Sequence, residues 1–265
     1  MTESFITSRD NPVFKRVKKL ANSARARRDA RMTLLDSAHL IEAYLDASGQ
    51  PHTLLRAASC PTERVNGLAA RCLAAKNLVL PDALFAELTP VATPTGVLAE
   101  AAWLAPSAIN TTPLVIVLEQ IQDPGNLGAM LRTGAAAGAT LAVLSANCHD
   151  AWSPKALRGG QGAQFVLPMQ LDVDLSNWLN GFAGASVALT LDEATGGEQD
   201  FYHMDFTGPI AFIVGNEGAG LSAPVMQAAS TRARIPMPGK VESLNAAAAL
   251  AVASFETVRQ RAAQA

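Results

Sequence analysis

The chain has 265 residues, of which 49% are hydrophobic and 17% are charged, and this is enough apolar material for two packed domains. The cysteines, Cys60, Cys72 and Cys148, are odd in number and lack CxxC spacing, which argues against a disulfide framework and against a zinc site. No segment has the pattern of a signal peptide, a transit peptide or a membrane span, so we expect a cytoplasmic protein without a bound metal.

Positive charge is concentrated near the N-terminus, although the formal net charge of the whole chain is −2. Nine of the 21 basic residues lie within residues 9–31, together with only two acidic residues. A basic segment in an otherwise acidic chain is typical of a surface that binds phosphates, and the alternative is a solvated helix face. The candidates for phosphate contact are Arg25, Arg27 and Arg28.

The N-terminal part of the chain predicts a small α/β domain. Apolar side chains recur at helical spacing over residues 12–45 and predict two helices, of which the first is very basic. Short apolar runs alternate with helix-like stretches after that, the runs lying at residues 53–57, 78–80 and 96–99. Residues 101–113 combine prolines with Asn and Thr and predict a linker, so we expect domains at residues 1–105 and 113–265.

From residue 114 the pattern changes to short apolar strands that alternate with glycine-rich turns and helices. The predicted strands are residues 114–118, 141–144, 186–191, 210–214 and 233–235. Uniformly apolar strands that alternate with helices indicate a parallel sheet covered on both faces. Ligands of such sheets bind beyond the carboxyl ends of the strands, and this is where the unusual polar residues fall.

The first of three motifs follows the strand at residues 114–118. Its sequence, DPGNLGAMLRTG, places a Pro-Gly turn before a helix that carries Asn126 and, six residues later, Arg132. Taken alone, Asn126 is equally well a helix cap and Arg132 a solvated side chain. The glycines do not reproduce GxGxxG, which counts against a nucleotide-binding oxidoreductase.

The second and third motifs also combine glycine or proline with polar residues next to strands. GNEGAGLS follows the strand at residues 210–214 and holds Glu217 among glycines, which permit close approach of a ligand or else only a tight turn. IPMPGKVESLN leads into a long helix, whose first amides are free to bind a ligand. The alternative for Ser243 in this motif is that it is only an N-cap.

In this order and spacing the three motifs resemble the SpoU family of RNA ribose 2′-O-methyltransferases, within the SPOUT superfamily. The resemblance covers residues 113–262, and the N-terminal part is similar to the family's substrate-binding domain, which opens with Ser8-x-x-Asn11-Pro12 and a basic helix. Two departures are Asp36-Ser37, where relatives usually have Glu-Gly, and Gly160, where relatives commonly have Ser. The matching residues are Asn126, Gly128, Arg132, Gly215, Glu217, Gly218, Ile235, Pro236, Met237, Ser243, Leu244 and Asn245.

The resemblance implies methyl transfer from S-adenosylmethionine to a ribose 2′-hydroxyl of RNA. Carried over by motif, the catalytic positions are Arg132, Asn126, Glu217, Ser243 and Asn245. The cofactor positions are Gly215, Ile235, Met237 and Leu244, with Thr190 as a further candidate. Arg158 is a candidate RNA contact in addition to the basic segment.

The resemblance also implies an α/β fold whose C-terminal parallel-sheet domain contains a trefoil knot, and a homodimer. A separate N-terminal domain favours ribosomal RNA over transfer RNA as the partner, by family analogy. The alternative function is a catalytically inactive RNA-binding or ribosome-assembly protein with the same fold. The presence of Asn126, Arg132, Glu217 and Asn245 argues against it.

Overall fold

The computed structural model describes residues 4–72, 75–89, 94–191, 198–241 and 243–264. The chain divides into two compact units, one of Met1–Ala105 with Asp150–Val166 and the other of Pro106–His149 with Leu167–Ala265. The segment Asp150–Val166 therefore packs with the N-terminal unit, although it lies inside the range 113–265 that the sequence predicts as the second domain.

The first unit is built on a mixed sheet of five strands among the described residues, in the order β1-β4-β3-β5-β2. Strand β5 is antiparallel to β2 and β3, while β4 is parallel to β1 and β3. The strands are β1 (Ser4–Phe5), β2 (Met32–Leu35), β3 (Thr53–Ala57), β4 (Lys76–Leu80) and β5 (Val97–Ala102). The helices are α1 (Pro12–Asn22), α2 (Ala24–Ala30), α3 (Ala38–Asp46), α4 (Thr62–Arg71) and α5 (Asp82–Ala86).

The second unit contains a sheet of seven described strands, in the order β10-β12-β9-β11-β6-β7-β8, and every neighbouring pair is parallel. The predicted parallel sheet is thus confirmed. Its strands are β6 (Leu114–Leu118), β7 (Leu141–Ser145), β8 (Met169–Val173), β9 (Ala185–Leu189), β10 (Glu198–Asp200), β11 (Ile210–Val214) and β12 (Thr231–Arg234). The helices of this unit are α6 (Pro124–Ala136), α8 (Leu175–Asn180), α9 (Ala223–Ala228) and α10 (Ala246–Ala262). Helix α7 (Pro154–Gly160) lies between α6 and α8 in the sequence but belongs to the first unit.

Strands β6 and β11 form the buried centre of this sheet. All five residues of each strand are buried, as their uniformly apolar sequences require. The two strands pair in register from Ile210↔Leu114 to Val214↔Leu118. The loops that follow β6 and β11 therefore start side by side.

The N-terminal helices differ from the sequence-based prediction of two helices over residues 12–45. The chain forms α1, α2 and α3 there, with β2 between α2 and α3. Ser23 has extended backbone and ends α1, and its Oγ accepts a hydrogen bond from the amide of Ala26 that caps α2. Strand β2 pairs with the distant β5, a partner that local periodicity does not reveal.

The structure corrects the expectation that Arg27 contacts RNA. Its Nε donates to Oδ2 of Asp150 at 2.7 Å, and its Nη1 donates to the carbonyl of Leu20 at 2.5 Å. Both partners of the ion pair are buried, with side-chain exposures of 6% for Arg27 and 7% for Asp150. The guanidinium is thus not available to a phosphate, and it holds the segment Asp150–Val166 within the first unit.

We expect Arg27→Ala to lower the free energy of unfolding by roughly 3–5 kcal/mol, because it leaves the Asp150 carboxylate buried without its partner. Urea denaturation followed by circular dichroism measures this change. Arg25→Ala is the matched control, since the Arg25 side chain is 91% exposed and pairs with the exposed Asp29. Equal stabilities of the two variants would contradict a structural role for Arg27.

Candidate active site

The carboxyl ends of four neighbouring strands meet at one edge of the second unit's sheet. Along this edge β12, β9, β11 and β6 lie next to one another. Thr190 follows β9, Gly215 follows β11 and Ile235 follows β12. Three of the cofactor candidates are therefore brought together by the parallel topology alone.

A cavity of about 750 Å³ opens at this edge. This volume lies within the range of about 300–1,000 Å³ that is usual for small-molecule sites. Its wall includes all five predicted cofactor residues, which are Thr190, Gly215, Ile235, Met237 and Leu244. Three predicted catalytic residues, Glu217, Ser243 and Asn245, also line it.

The loop after β11 needs glycine at position 215 for its own closure. A Cβ atom on Gly215 would overlap the backbone of Gly220 and Leu221. Asn216 and Gly220 exchange two backbone hydrogen bonds of 3.0 Å, and Gly220 has a φ of +69°. The loop is thus folded back on itself, and this closure gives the cavity a preformed wall.

A chain of side-chain hydrogen bonds joins the first, second and third motifs. The amide of Asn245 donates to Oδ1 of Asn126 at 3.2 Å, and the amide of Asn126 donates to Oε1 of Glu217 at 3.0 Å. Each amide thereby receives one fixed orientation, because its donor and its acceptor sides have different partners. The structure brings these three predicted catalytic residues into one network at the cavity.

Asn126 and Ser243 are not the helix caps that the purely structural alternatives predicted. Asp123 caps α6, since its Oδ1 accepts a hydrogen bond from the backbone amide of Asn126 at 2.7 Å. Asn245 caps α10, with its Oδ1 accepting from the amide of Ala247 at 2.8 Å. The side chain of Asn126 and the exposed side chain of Ser243 therefore do not cap these helices.

Glu217 carries a negative charge at this network. Partial burial raises the pKa of its carboxyl, but hydrogen bonds from Asn126 and from neighbouring backbone amides outweigh that effect and hold the pKa below its usual range. The carboxylate is therefore ionised at neutral pH and can only accept hydrogen bonds. A positively charged ligand group in the cavity would be favoured.

Arg132 lies on the same helix as Asn126 but takes no part in the hydrogen-bond network of Asn245, Asn126 and Glu217. It is exposed on α6, does not belong to the cavity wall, and makes no hydrogen bond or ion pair with any residue that the structure describes. Six residues along an α-helix correspond to about 9 Å of rise and about 120° of rotation from Asn126. Its long side chain is thus available to a substrate that extends beyond the cavity.

Arg158 lies on α7 in the first unit, next to the first of the two family departures. Its Nη1 is 4.0 Å from Oδ2 of Asp36, whose side chain is only 2% exposed. Burial raises the pKa of Asp36, and the charge of Arg158 opposes that rise only in part. Neither carboxyl oxygen of Asp36 has a hydrogen-bond partner within the described residues.

The second departure, Gly160, is explained by its neighbour Gln164. A Cβ atom at position 160 would overlap the side-chain amide of Gln164. This amide is fully buried and donates to the carbonyls of Ala151 and Ala156, both at 3.1 Å. Glycine is therefore required wherever glutamine fills this space.

The cavity wall also contains a residue that sequence reasoning did not select. Arg232 on β12 lines the cavity, as do Met226 and Gln227 of α9. The signal in the sequence is the alternation Arg-Ala-Arg in a short strand, with a buried alanine between two charged residues.

Among the described residues no helix is long and apolar enough to cross a membrane, and no cluster of His, Cys, Asp and Glu could hold a metal ion.

Comparison with known proteins places this chain in a family. The model of the SpoU rRNA methylase family matches residues 113–255. A protein of Synechocystis described as an uncharacterized tRNA/rRNA methyltransferase is 35% identical over 265 residues, which is 97% of this chain and 94% of that relative. A 23S rRNA (guanosine-2′-O-)-methyltransferase of Pseudomonas putida is 38% identical over 154 residues, or 57% of this chain and 61% of that relative.

Solved structures agree with the sequence relatives. The crystal structure of an rRNA methyltransferase from Sinorhizobium meliloti with AdoMet bound superposes with a TM-score of 0.81 at 27% identity, over 97% of this chain and 98% of that one. The chain belongs to the SpoU rRNA methylase family. The oxidoreductase alternative is therefore wrong.

We expect Gly215→Ala to displace residues 216–221, because the added Cβ meets backbone atoms that no side-chain rotation can move. Affinity for S-adenosylmethionine, the ligand of the Sinorhizobium protein, should fall roughly tenfold or more as the cavity wall shifts. Isothermal titration calorimetry measures the affinity. Gly208→Ala is the matched control near the other end of β11, where a Cβ has no neighbour within 4 Å. Wild-type affinity in a folded Gly215→Ala protein would contradict this role of the loop.

Proposed function

We propose that this chain transfers a methyl group from S-adenosylmethionine to a ribose 2′-hydroxyl of ribosomal RNA. The observation that carries the proposal is the single cavity wall that combines the five cofactor candidates with Glu217, Ser243 and Asn245. The names of the relatives, which include 23S rRNA 2′-O-methyltransferases, support ribosomal RNA as the substrate class. An rRNA substrate is also consistent with the expected cytoplasmic location.

The residues of the cavity fit this cofactor. Leu189, Val214 and Ile235 offer apolar surface to an adenine ring, while the ionised Glu217 favours the positive charge of a sulfonium. Bound S-adenosylmethionine supplies a methyl group on a sulfonium, and the neutral thioether that remains after transfer is a good leaving group. The work left to the protein is therefore mainly positioning.

The network of Asn245, Asn126 and Glu217 supplies that positioning. Because the three side chains are already hydrogen-bonded to one another, their orientation does not have to be created when RNA binds. Polar groups held in this way can orient a ribose hydroxyl and a neighbouring phosphate, with the hydroxyl of Ser243 beside them at the cavity wall.

Arg132 is assigned to the charge that develops on the attacking oxygen. A guanidinium remains protonated in proteins, so Arg132 stabilises the forming alkoxide and does not remove the proton. The absence of partners among the described residues leaves its donors free for RNA.

We expect Arg132→Ala to keep the fold and the cofactor affinity while lowering the single-turnover rate of methyl transfer by about 10²-fold or more, the effect of losing one stabiliser of an oxyanion. The assay uses unmodified ribosomal RNA transcribed in vitro. Arg132→Lys should remain impaired, since lysine keeps the charge but not the planar fork of donors. Full activity of Arg132→Ala would exclude this assignment, and an inactive wild-type protein would favour the alternative of an inactive RNA-binding protein.

Residues 1–105 are proposed to bind the RNA substrate, and residues 113–265 to carry the methyltransferase activity. With Arg27 removed from the candidates, Arg25 and Arg28 remain exposed on α2. Lys19 on α1 and Arg31 after α2 are exposed near them in sequence. Arg158 is proposed as a further RNA contact, because its side chain is 40% exposed beside Asp36.

We expect the double variant Arg25→Gln/Arg28→Gln to weaken RNA binding and to lower the slope of log K against log salt by about two, one for each lost phosphate contact. Fluorescence anisotropy at several salt concentrations measures both quantities. The control removes two exposed charges elsewhere, as Arg71→Gln/Arg259→Gln. If both double variants behave alike, the basic segment has no specific role.

The proposed homodimer uses the outer face of α10. Phe255 and Val258 are 49% and 38% exposed there, three residues apart and thus on one face of the helix. We expect Phe255→Glu to shift the protein to monomers, because a second copy would have to bury the introduced charge. Sedimentation equilibrium measures the mass, and a monomeric wild-type protein would exclude this dimer.

The trefoil knot is proposed for the path between β12 and α10. The chain leaves β12 beyond β9, whereas α10 packs against α6. The residues between them must cross the carboxyl ends of β9 and β11 next to the loop after β11. A crystal structure that traces this crossing through or outside the loop tests the proposal.

A further inference from the structure

Glu119, the first residue after β6, is a buried carboxylate that the proposed chemistry does not use. It is 6% exposed, and its backbone amide extends the pairing of β6 with β11 by donating to the carbonyl of Val214 at 2.9 Å. Its two carboxyl oxygens accept hydrogen bonds from Ser222, from the backbone amide at 2.8 Å and from the hydroxyl at 2.6 Å. Hydrogen bonds to a charged acceptor are stronger than those between neutral groups.

Ser222 uses its hydroxyl for this contact and does not cap the helix that follows. It occupies the N-cap position of α9, where a serine hydroxyl ordinarily accepts a hydrogen bond from the second or third amide of the helix. In the described structure its side chain makes no such bond and donates to Glu119 instead. Pro224, in the first turn of α9, has no amide hydrogen that such a cap could accept, and the serine hydroxyl is directed to Glu119.

The contact closes the far end of the loop that walls the cavity. Residues 215–221 all line the cavity, and α9 directly after Ser222 contributes Ala223 and Met226. Two further contacts join the loop after β6 to the loop after β11. The side chain of Asn216 donates to the carbonyl of Gln120 at 2.9 Å, and the backbone amide of Gln122 lies 3.5 Å from Oε2 of Glu217. Glu119 itself contributes no atom to the wall that the described residues form.

We propose that Glu119 is a positioning residue for the cofactor, acting through Ser222 to hold the loop of residues 215–221 in its binding shape. The inference rests on the proposed function, because it takes S-adenosylmethionine as the ligand of the cavity. A loop that is ordered before binding loses less conformational entropy when the ligand arrives. Removing the Glu119–Ser222 contact therefore lowers affinity without removing any atom that touches the ligand.

The test compares Glu119→Ala, Glu119→Gln and Ser222→Ala by calorimetric titration with S-adenosylmethionine and by steady-state methyl transfer. For Glu119→Ala we expect Kd and KM for S-adenosylmethionine to rise about tenfold or more, the effect of losing a charge-assisted hydrogen bond. The value of kcat and the KM for RNA, both measured at saturating S-adenosylmethionine, should stay near wild type, because the bound cofactor then holds the loop, and Glu217 with it, in the binding shape.

The conservative variant tests the contact itself. In Glu119→Gln the amide oxygen can accept from the Ser222 amide while the amide nitrogen donates to the Ser222 hydroxyl, so this variant should recover most of the affinity. Ser222→Ala removes only the hydroxyl contact and no cap, and it should show a smaller loss in the same direction. Ser222→Ala also tests the proposal if Glu119→Ala does not fold.

Glu100→Gln is the control for general destabilisation. Glu100 is a buried carboxylate of the first unit that accepts from Arg16 and Thr53, far from the cavity in the sequence and in a different sheet. It should lower stability and leave the Kd for S-adenosylmethionine unchanged.

Wild-type Kd in both Glu119→Ala and Ser222→Ala would overturn the proposal, as would a loss of kcat at unchanged KM or a Glu119→Gln protein as weak as Glu119→Ala. A wild-type protein that does not bind S-adenosylmethionine would instead refute the proposed function.

Discussion

The in-register pairing of β6 with β11 is the constraint on which the candidate site depends. Two fully apolar strands lie side by side at the centre of a parallel sheet, and their last residues, Leu118 and Val214, are paired. The chain then has to place two polar loops against each other at the same edge. Because the paired strands are separated by about a hundred residues of chain, closing this contact is entropically costly and the site depends on long-range structure.

Much of the second unit was predictable because its signals are local. Short apolar strands that alternate with helices predict the parallel sheet, and the three motifs mark where its loops meet. The family assignment follows from the same motifs and is confirmed by the family match. The motifs do not reveal which of their polar residues has which role. For example, Asp123 and not Asn126 caps α6. Only the hydrogen-bond geometry distinguishes these neighbours.

The misses concern residues whose partners are distant in sequence. Strand β2 has a periodicity compatible with a helix until its pairing with β5 is known. Arg27 has the same chemistry as its exposed neighbours and differs only because Asp150 meets it in the folded first unit. The segment Asp150–Val166 carries no compositional mark that would assign it to the N-terminal unit. In each case the decisive energy comes from a contact between segments that local patterns cannot pair.

The packing of Gly160 against Gln164 has an evolutionary consequence. A serine at position 160 cannot coexist with the glutamine in its present place, whereas glycine without the glutamine would leave an unfilled space between buried carbonyl groups. Each single substitution is therefore disfavoured, and the pair should change together. Among relatives of this chain, glycine at this position and glutamine four residues later should be inherited as one unit.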